Sequence, residues 1–283
     1  MTTRREPTAR QMRLAVELRR LRSSAGLTAR EAASLLGVSH VQISHIESGL
    51  TGVSEERLRQ IAAHYACTDE ALIQTLVAMA TDRTRGWWEQ YRGRLPTAYL
   101  DLSELEHHAG YRWDVDFLHI PGLLQTEDYA RALFSYVNPE FPKPEVELRV
   151  EHRMRRKAVI ERPRPAPYEA VIHEAALRIR VGDRGAARTQ LGRVLELSEA
   201  RHVTVRVIPF ELDGFAGAGS AMVYAGGPIP KLDTVVRDGP HGTVFIDAEA
   251  QLCRFRTLFR RLEAASLEPE RSRDFIHKLA KEL

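Results

Sequence analysis

The stretch GVSHVQISHIESG, residues Gly37 to Gly49, holds four side chains that could read a base edge: His40, Val41, Ser44 and His45. A histidine ring nitrogen and a serine hydroxyl can each hydrogen-bond a base, and a valine can pack on a thymine methyl. That chemistry requires the four to stand on the outer face of one helix. Ile43 and Ile46, three residues apart, supply the inner face. At about 100° of rotation per residue, Val41 and Ser48 lie nearly opposite the two isoleucines and His40 lies on the flank. Ser44 and His45 lie about 130° from the inner direction. The N-terminal residues of a recognition helix usually reach the bases, so His40, Val41 and Ser44 are the expected readers. Gln42 has two roles open to it, capping and contact, and its angle favours the cap.

The elements that position this face are legible from their caps. Thr8 with Gln11, Thr28 with Glu31 and Ser39 with Gln42 each match a capping box, in which two side chains and two backbone N–H groups satisfy one another. Ser54 and Thr68 open two further helices, and Gly26, Gly37 and Gly49 sit where left-handed turns end helices. The pattern predicts five helices over residues 1–82, with a recognition helix running to about Ser48. Ala33 is small where two helices must cross closely, and Gly37 follows four residues later at the turn.

The run LRRLRSSAGLTAREAASLLGVSHVQISHIESG resembles the XRE family of helix-turn-helix regulators. The resemblance implies a DNA-binding domain that grips double-stranded operator DNA, with Ser39 to Ser48 at the groove. In that family glutamines usually stand where this chain has Ala29 and His40. Arg30 either takes over a phosphate contact or is an exposed arginine on a solvated helix face.

Beyond residue 82 the pattern changes. TRGWWEQYRGRLP places Trp87, Trp88 and Tyr91 in an aromatic connector over residues 83–110, read as a core or interdomain seam. Residues Tyr111 to Ile120 read as a strand. Pro121, Gly122, Leu123, Leu124, Gln125 and Thr126 then make either a rigid strand-turn-helix corner or a partner-contact surface. The charged run Glu145 to Glu161 reads as a solvated or partner-facing helix, with a second DNA contact as the alternative. HVTVRVIPF alternates as a strand should, two or three further strands follow, and two helices close the chain. The fold class expected is α+β: a five-helix helix-turn-helix domain over 1–82, then an α/β sandwich around one mixed sheet with terminal helices over 111–283.

The second region shows no catalytic constellation. Its glycine-rich GFAGAGS, Gly214 to Ser220, precedes a strand instead of opening a helix, the wrong context for a phosphate loop. His107, His108, His173 and His241 form no metal-ligand spacing, so neither metal nor cofactor is expected. Cys67 and Cys253 are far apart and are expected to be buried free thiols. With 41 basic against 38 acidic residues, net charge +3, bulk charge argues little either way about nucleic acid. There is no membrane-length apolar run and no apolar stretch behind the basic start, so a cytoplasmic protein is expected, nucleoid-associated when bound to DNA.

RGWWEQY, HIPGLLQTEDYA, HEAALR, VTVRVIPF and FRRLEAASLEPERSRDFIHKLAKEL are similar to the C-terminal domain of the WhiJ-like regulators of actinobacteria. That resemblance implies a non-enzymatic transcription regulator tied to development or antibiotic production, working with a small partner protein encoded nearby. A homodimer is expected from helix-turn-helix geometry, with a small-molecule ligand as a further option. The competing reading is an antitoxin-like protein-binding partner that uses DNA binding mainly for autoregulation.

Overall fold

The structure, a computed structural model, describes residues 6–217, 221–239 and 242–283. The chain divides into two compact units between Gln90 and Tyr91.

Local capping chemistry sets out the first unit. Thr8 and Gln11 close both bonds of a capping box at the start of α1 (Ala9–Ser24), and Thr28 and Glu31 do the same for α2 (Ala29–Leu35). Gly37 then adopts φ +63, a left-handed turn that costs other residues about 1–2 kcal/mol, and the chain reverses into α3 (His40–Ile46). Ser39 accepts from the Gln42 backbone N–H at 3.2 Å, but the reciprocal side-chain bond of a box is not made. The helix also ends earlier than its pattern predicts: Glu47 is the C-cap, and Ser48 lies in the turn beyond. Ser54 caps α4 (Glu55–His64). Asp69 caps α5 (Glu70–Thr81) in place of the expected Thr68, putting a carboxylate at the positive end of the helix. Leu18, Ala33, Ile43, Ile46, Leu58, Ile61, Leu72 and Leu76 form the buried interior. Trp87–Tyr91 is a single 3-10 turn, in which Trp88 is buried and Trp87 meets it edge to face.

The second unit opens with α6 (Thr97–His108), followed by β1 (Tyr111–Asp116). A 3-10 turn (Gly122–Leu124) leads to α7 (Glu127–Val137), α8 (Lys143–Arg156) and α9 (Ala158–Glu161). Then come β2 (Tyr168–His173), α10 (Glu174–Arg178), α11 (Arg184–Leu197) and β3 (Val203–Ile208). The chain finishes with β4 (Met222–Gly226), β5 (Thr234–Gly239), β6 (Gly242–Ile246), α12 (Glu249–Ala265) and α13 (Pro269–Glu282). The sheet order is β3-β2-β1-β4-β5-β6; β1, β2 and β3 are parallel, and the remaining pairs antiparallel. Alternation divides the two faces. Ala170, Ile172, Val203, Val205 and Val207 pack with Leu191, Val194 and Leu195 of α11 and Ile276 of α13. Val115, Val171, Tyr224 and Val235 pack with Leu252, Phe259 and Leu262 of α12. The fold is α+β, as its alternating pattern predicts.

β1 breaks the apolar rule. It carries Arg112, Asp114 and Asp116 at alternate positions, opposite Tyr168, Ala170 and Ile172 of β2. The Arg112 guanidinium donates to both Asp114 oxygens, at 2.7 and 2.8 Å, and Tyr168 donates its hydroxyl to Asp114 at 2.9 Å. Glu106 of α6 accepts two bonds from Arg156 of α8, at 2.9 and 2.6 Å, and also pairs with Arg112. All five of these paired residues are buried. The residues expected to form an aromatic connector over 83–110 are divided between the two units: α6 belongs to the second, tied there by Glu106. The arginine-rich helix is corrected too, because Arg149 and Arg156 turn inward instead of facing solvent. The thiols also differ from expectation, Cys67 being half-buried and Cys253 exposed.

Removing one member of this cluster leaves a buried charge unpaired. Glu106→Ala should therefore destabilise the protein by about 3–5 kcal/mol in denaturant unfolding, whereas the paired replacement Glu106→Met with Arg156→Met should cost much less.

Candidate nucleic-acid interface

Two polar anchors hold the recognition helix. Arg22 of α1 donates from Nε and Nη2 to the two carboxylate oxygens of Glu47, at 2.7 and 2.9 Å, just past the end of α3. Its third nitrogen donates to the Leu27 carbonyl at 2.5 Å. The hydrogen bond to Glu47 holds the Arg22 guanidinium above its ordinary range, against the opposing effect of burial. Arg57 of α4 donates to the Leu36 carbonyl at 2.9 Å and so satisfies the last turn of α2. With Ile43 and Ile46 buried beneath, α3 is fixed in position and its outer face stands free.

On that face Val41 is 47% exposed, and His40, Gln42 and Ser44 are exposed as well. His45 is half-buried on the edge of the face. The side chains of His40, Gln42 and Ser44 make no hydrogen bond to other described residues, so their donors and acceptors are available to a ligand. Gln42 joins the face because its capping bond is absent, which corrects the capping role expected of it. Two expected contacts are already engaged: Ser39 caps the helix, and the Ser48 hydroxyl donates back to the His45 carbonyl at 3.2 Å. Arg30 is exposed near the start of α2. The arrangement presents a short row of hydrogen-bonding groups flanking one exposed valine, suited to a groove floor.

The second predicted region behaves differently. Pro121, Leu123, Leu124 and Gln125 are buried, and Gly122 and Thr126 are half-buried. Gln125 donates to the Ile120 carbonyl at 2.6 Å and accepts from Arg153 at 2.5 Å. Gln190 bridges the Thr126 N–H and the Leu124 carbonyl, and the Tyr129 hydroxyl accepts from the Ile120 N–H. At Gly122 a side chain would come within 3.1 Å of the Arg153 guanidinium. The corner is thus a rigid internal joint, and the expectation of a partner surface there is corrected by its burial. Trp88 is buried in the first unit, while Tyr91 is buried in the second, where it donates to Glu151 at 2.7 Å and sits edge-on to His152. Of the Gly214 to Ser220 stretch, residues 218–220 lie outside the described residues, as does His241.

Sequence reasoning missed the ionisable interior of the second unit. Burial, with the nearby Asp114 charge, pushes the Asp116 carboxyl up to about 8, against the pull of Arg153 and Arg112. Burial followed by the charges of Arg156, Arg153 and Arg155 lowers His152 to about 3, so its ring is neutral, bonded through Nε2 to Ser103 at 3.0 Å. The signal was available in the alternation of Arg112, Asp114 and Asp116, which puts three ionisable groups on one face of a strand.

Fold and site together define a helix-turn-helix DNA-binding protein of the transcription-regulator class, with a separate α+β unit. The helix-turn-helix domain family matches residues 13–76, and the domain of unknown function DUF5753 matches residues 99–278. The chain belongs to the DUF5753 family. No curated protein and no solved structure matches it.

Two measurements follow. Arg22→Ala should lower the melting temperature of the first unit and weaken DNA binding together, because it leaves the Glu47 carboxylate without its partner. Asp116 binds its proton more tightly folded than unfolded, so it contributes stability below about pH 4 that is lost as pH rises through about 8. Asp116→Asn should accordingly be more stable than the parent protein at pH 9, with the difference vanishing near pH 4.

Proposed function

We propose that the protein is a sequence-specific transcription regulator that reads operator DNA through His40, Val41, Gln42 and Ser44. The observation that carries this reading is the outer face of α3: its polar side chains are unengaged, Val41 is exposed among them, and the helix is held by Arg22–Glu47 and Ile43/Ile46. Arg30 supplies a phosphate contact that orients the domain without choosing a sequence. Two copies act on two half-sites, since one seven-residue helix spans few base pairs.

The second unit serves control by binding, not by catalysis. Within its interior Glu106 pairs with Arg112 and Arg156, Asp114 with Arg112 and Tyr168, and His152 with Ser103, while Asp116 keeps its proton near neutral pH. An open cleft of about 310 Å³ at the α7–α8 corner is lined by Arg131, Phe141, Lys143 and Glu147, and Tyr136 of α7 is 86% exposed. This surface suits a small partner protein better than the buried Pro121–Thr126 corner does. The resemblance to WhiJ-like regulators supports a role for such control in development or antibiotic production. Among the described residues no helix is long and apolar enough to cross a membrane.

The test begins with DNA selected from a random pool by the purified protein, followed by titration of the winning sequence. Val41→Glu should reduce its affinity about tenfold or more while leaving the melting curve unchanged. Unaltered affinity in that variant would sink the assignment of the reading face.

A further inference from the structure

The two edges of the six-stranded sheet are finished differently. At the β3 edge the chain blocks itself: Leu267 donates its N–H to the Val207 carbonyl at 2.8 Å, and Val207 donates its N–H to the Ser272 hydroxyl at 3.0 Å. At the other edge β6 pairs with β5 on one side. Among the described residues nothing else hydrogen-bonds the backbone of Gly242–Ile246. The strand reads Gly-Thr-Val-Phe-Ile, with no charge and no proline, and its central residue, Val244, is 57% exposed. Soluble proteins usually protect such edges with lysine, proline, a bulge or a covering segment, since unpaired N–H and C=O groups invite another strand.

We propose that β6 is the dimerisation surface of this protein, pairing antiparallel with β6 of a second copy to give a continuous sheet across a twofold axis. A second copy fits for two reasons. An uncharged strand can lie against itself without like-charge repulsion, with Val244 opposite Val244 when all five residues pair. The two half-sites required by the proposed DNA reading, on which this part of the inference rests, also demand two protomers. Stable interfaces bury about 1,200–2,000 Å² in total, more than five residues of strand pairing supply. The free dimer is therefore weak, and adjacent half-sites reinforce it.

The test uses the full-length chain without DNA, so its failure leaves the DNA reading standing. Sedimentation velocity should show a dimer whose fraction rises with protein concentration, as a small interface requires. Val244→Lys should weaken dimerisation at least tenfold, and Val244→Thr should retain it. In a Cys67→Ser, Cys253→Ser background, Val244→Cys should form a disulfide-linked dimer at least ten times faster than Tyr136→Cys. Facing residues of an antiparallel pair stand about 4.5–5.5 Å apart, within disulfide reach. A strict monomer with equal cross-linking rates overturns the proposal, as does a dimer that Val244→Lys leaves intact. If Val244→Lys fails to fold, the threonine variant and the cross-linking rates decide the question.

Discussion

An ion taken out of water loses hydration that only a full set of partners can replace, and β1 puts Arg112, Asp114 and Asp116 in that position. The second unit is arranged around meeting this demand. α6 delivers Glu106, α8 delivers Arg156, and β2 delivers the Tyr168 hydroxyl, so Arg112 and Arg156 stand against Glu106 and Asp114. Asp116 escapes by keeping its proton near neutral pH, which leaves the paired charges balanced. A cluster of this kind adds little net stability over an apolar core, but it ties three distant segments into one geometry, because each partner is costly to leave alone.

The first unit separates its frame from the exposed face of α3, the proposed reading head. Its frame uses general devices: capping threonines, a left-handed glycine, buried isoleucines and the bidentate Arg22–Glu47 pair. The head consists of side chains that the frame does not need, which leaves them free to differ without unfolding the domain. The first 90 residues hold 12 arginines against 10 acidic residues and no lysine, so long-range attraction to a polyanion is modest. Affinity in such a domain depends on close, shape-matched contacts more than on a broad positive field.

What was legible in the sequence followed the range of the interaction. The capping boxes at Thr8 and Thr28, the turn at Gly37 and the strand in HVTVRVIPF depend on residues two to four apart, and all stand in the structure. The misreadings have two causes, one local and one at long range. Ser39 and Gln42 had the right spacing for a full box, but the exposed Gln42 side chain does not fold back to close it. Arg149 and Arg156 looked like a solvated stripe because Glu147 and Glu151 are interleaved; Arg149 keeps a local partner in Glu145, but the carboxylate that buries Arg156 is Glu106, fifty residues away.

By itself the sequence determined the helix-turn-helix scaffold and the α+β class, since each rests on local periodicity and local hydrogen bonds. Tertiary structure alone decided the rest. It brought Glu106 to Arg156 and Asp114 to Tyr168, buried the Pro121–Thr126 corner, and closed one sheet edge with Leu267 and Ser272 while leaving β6 uncovered. Most of these contacts join residues some fifty or more positions apart. Whether a charged side chain finds a partner at that distance is set by how the layers stack, and no local pattern records it.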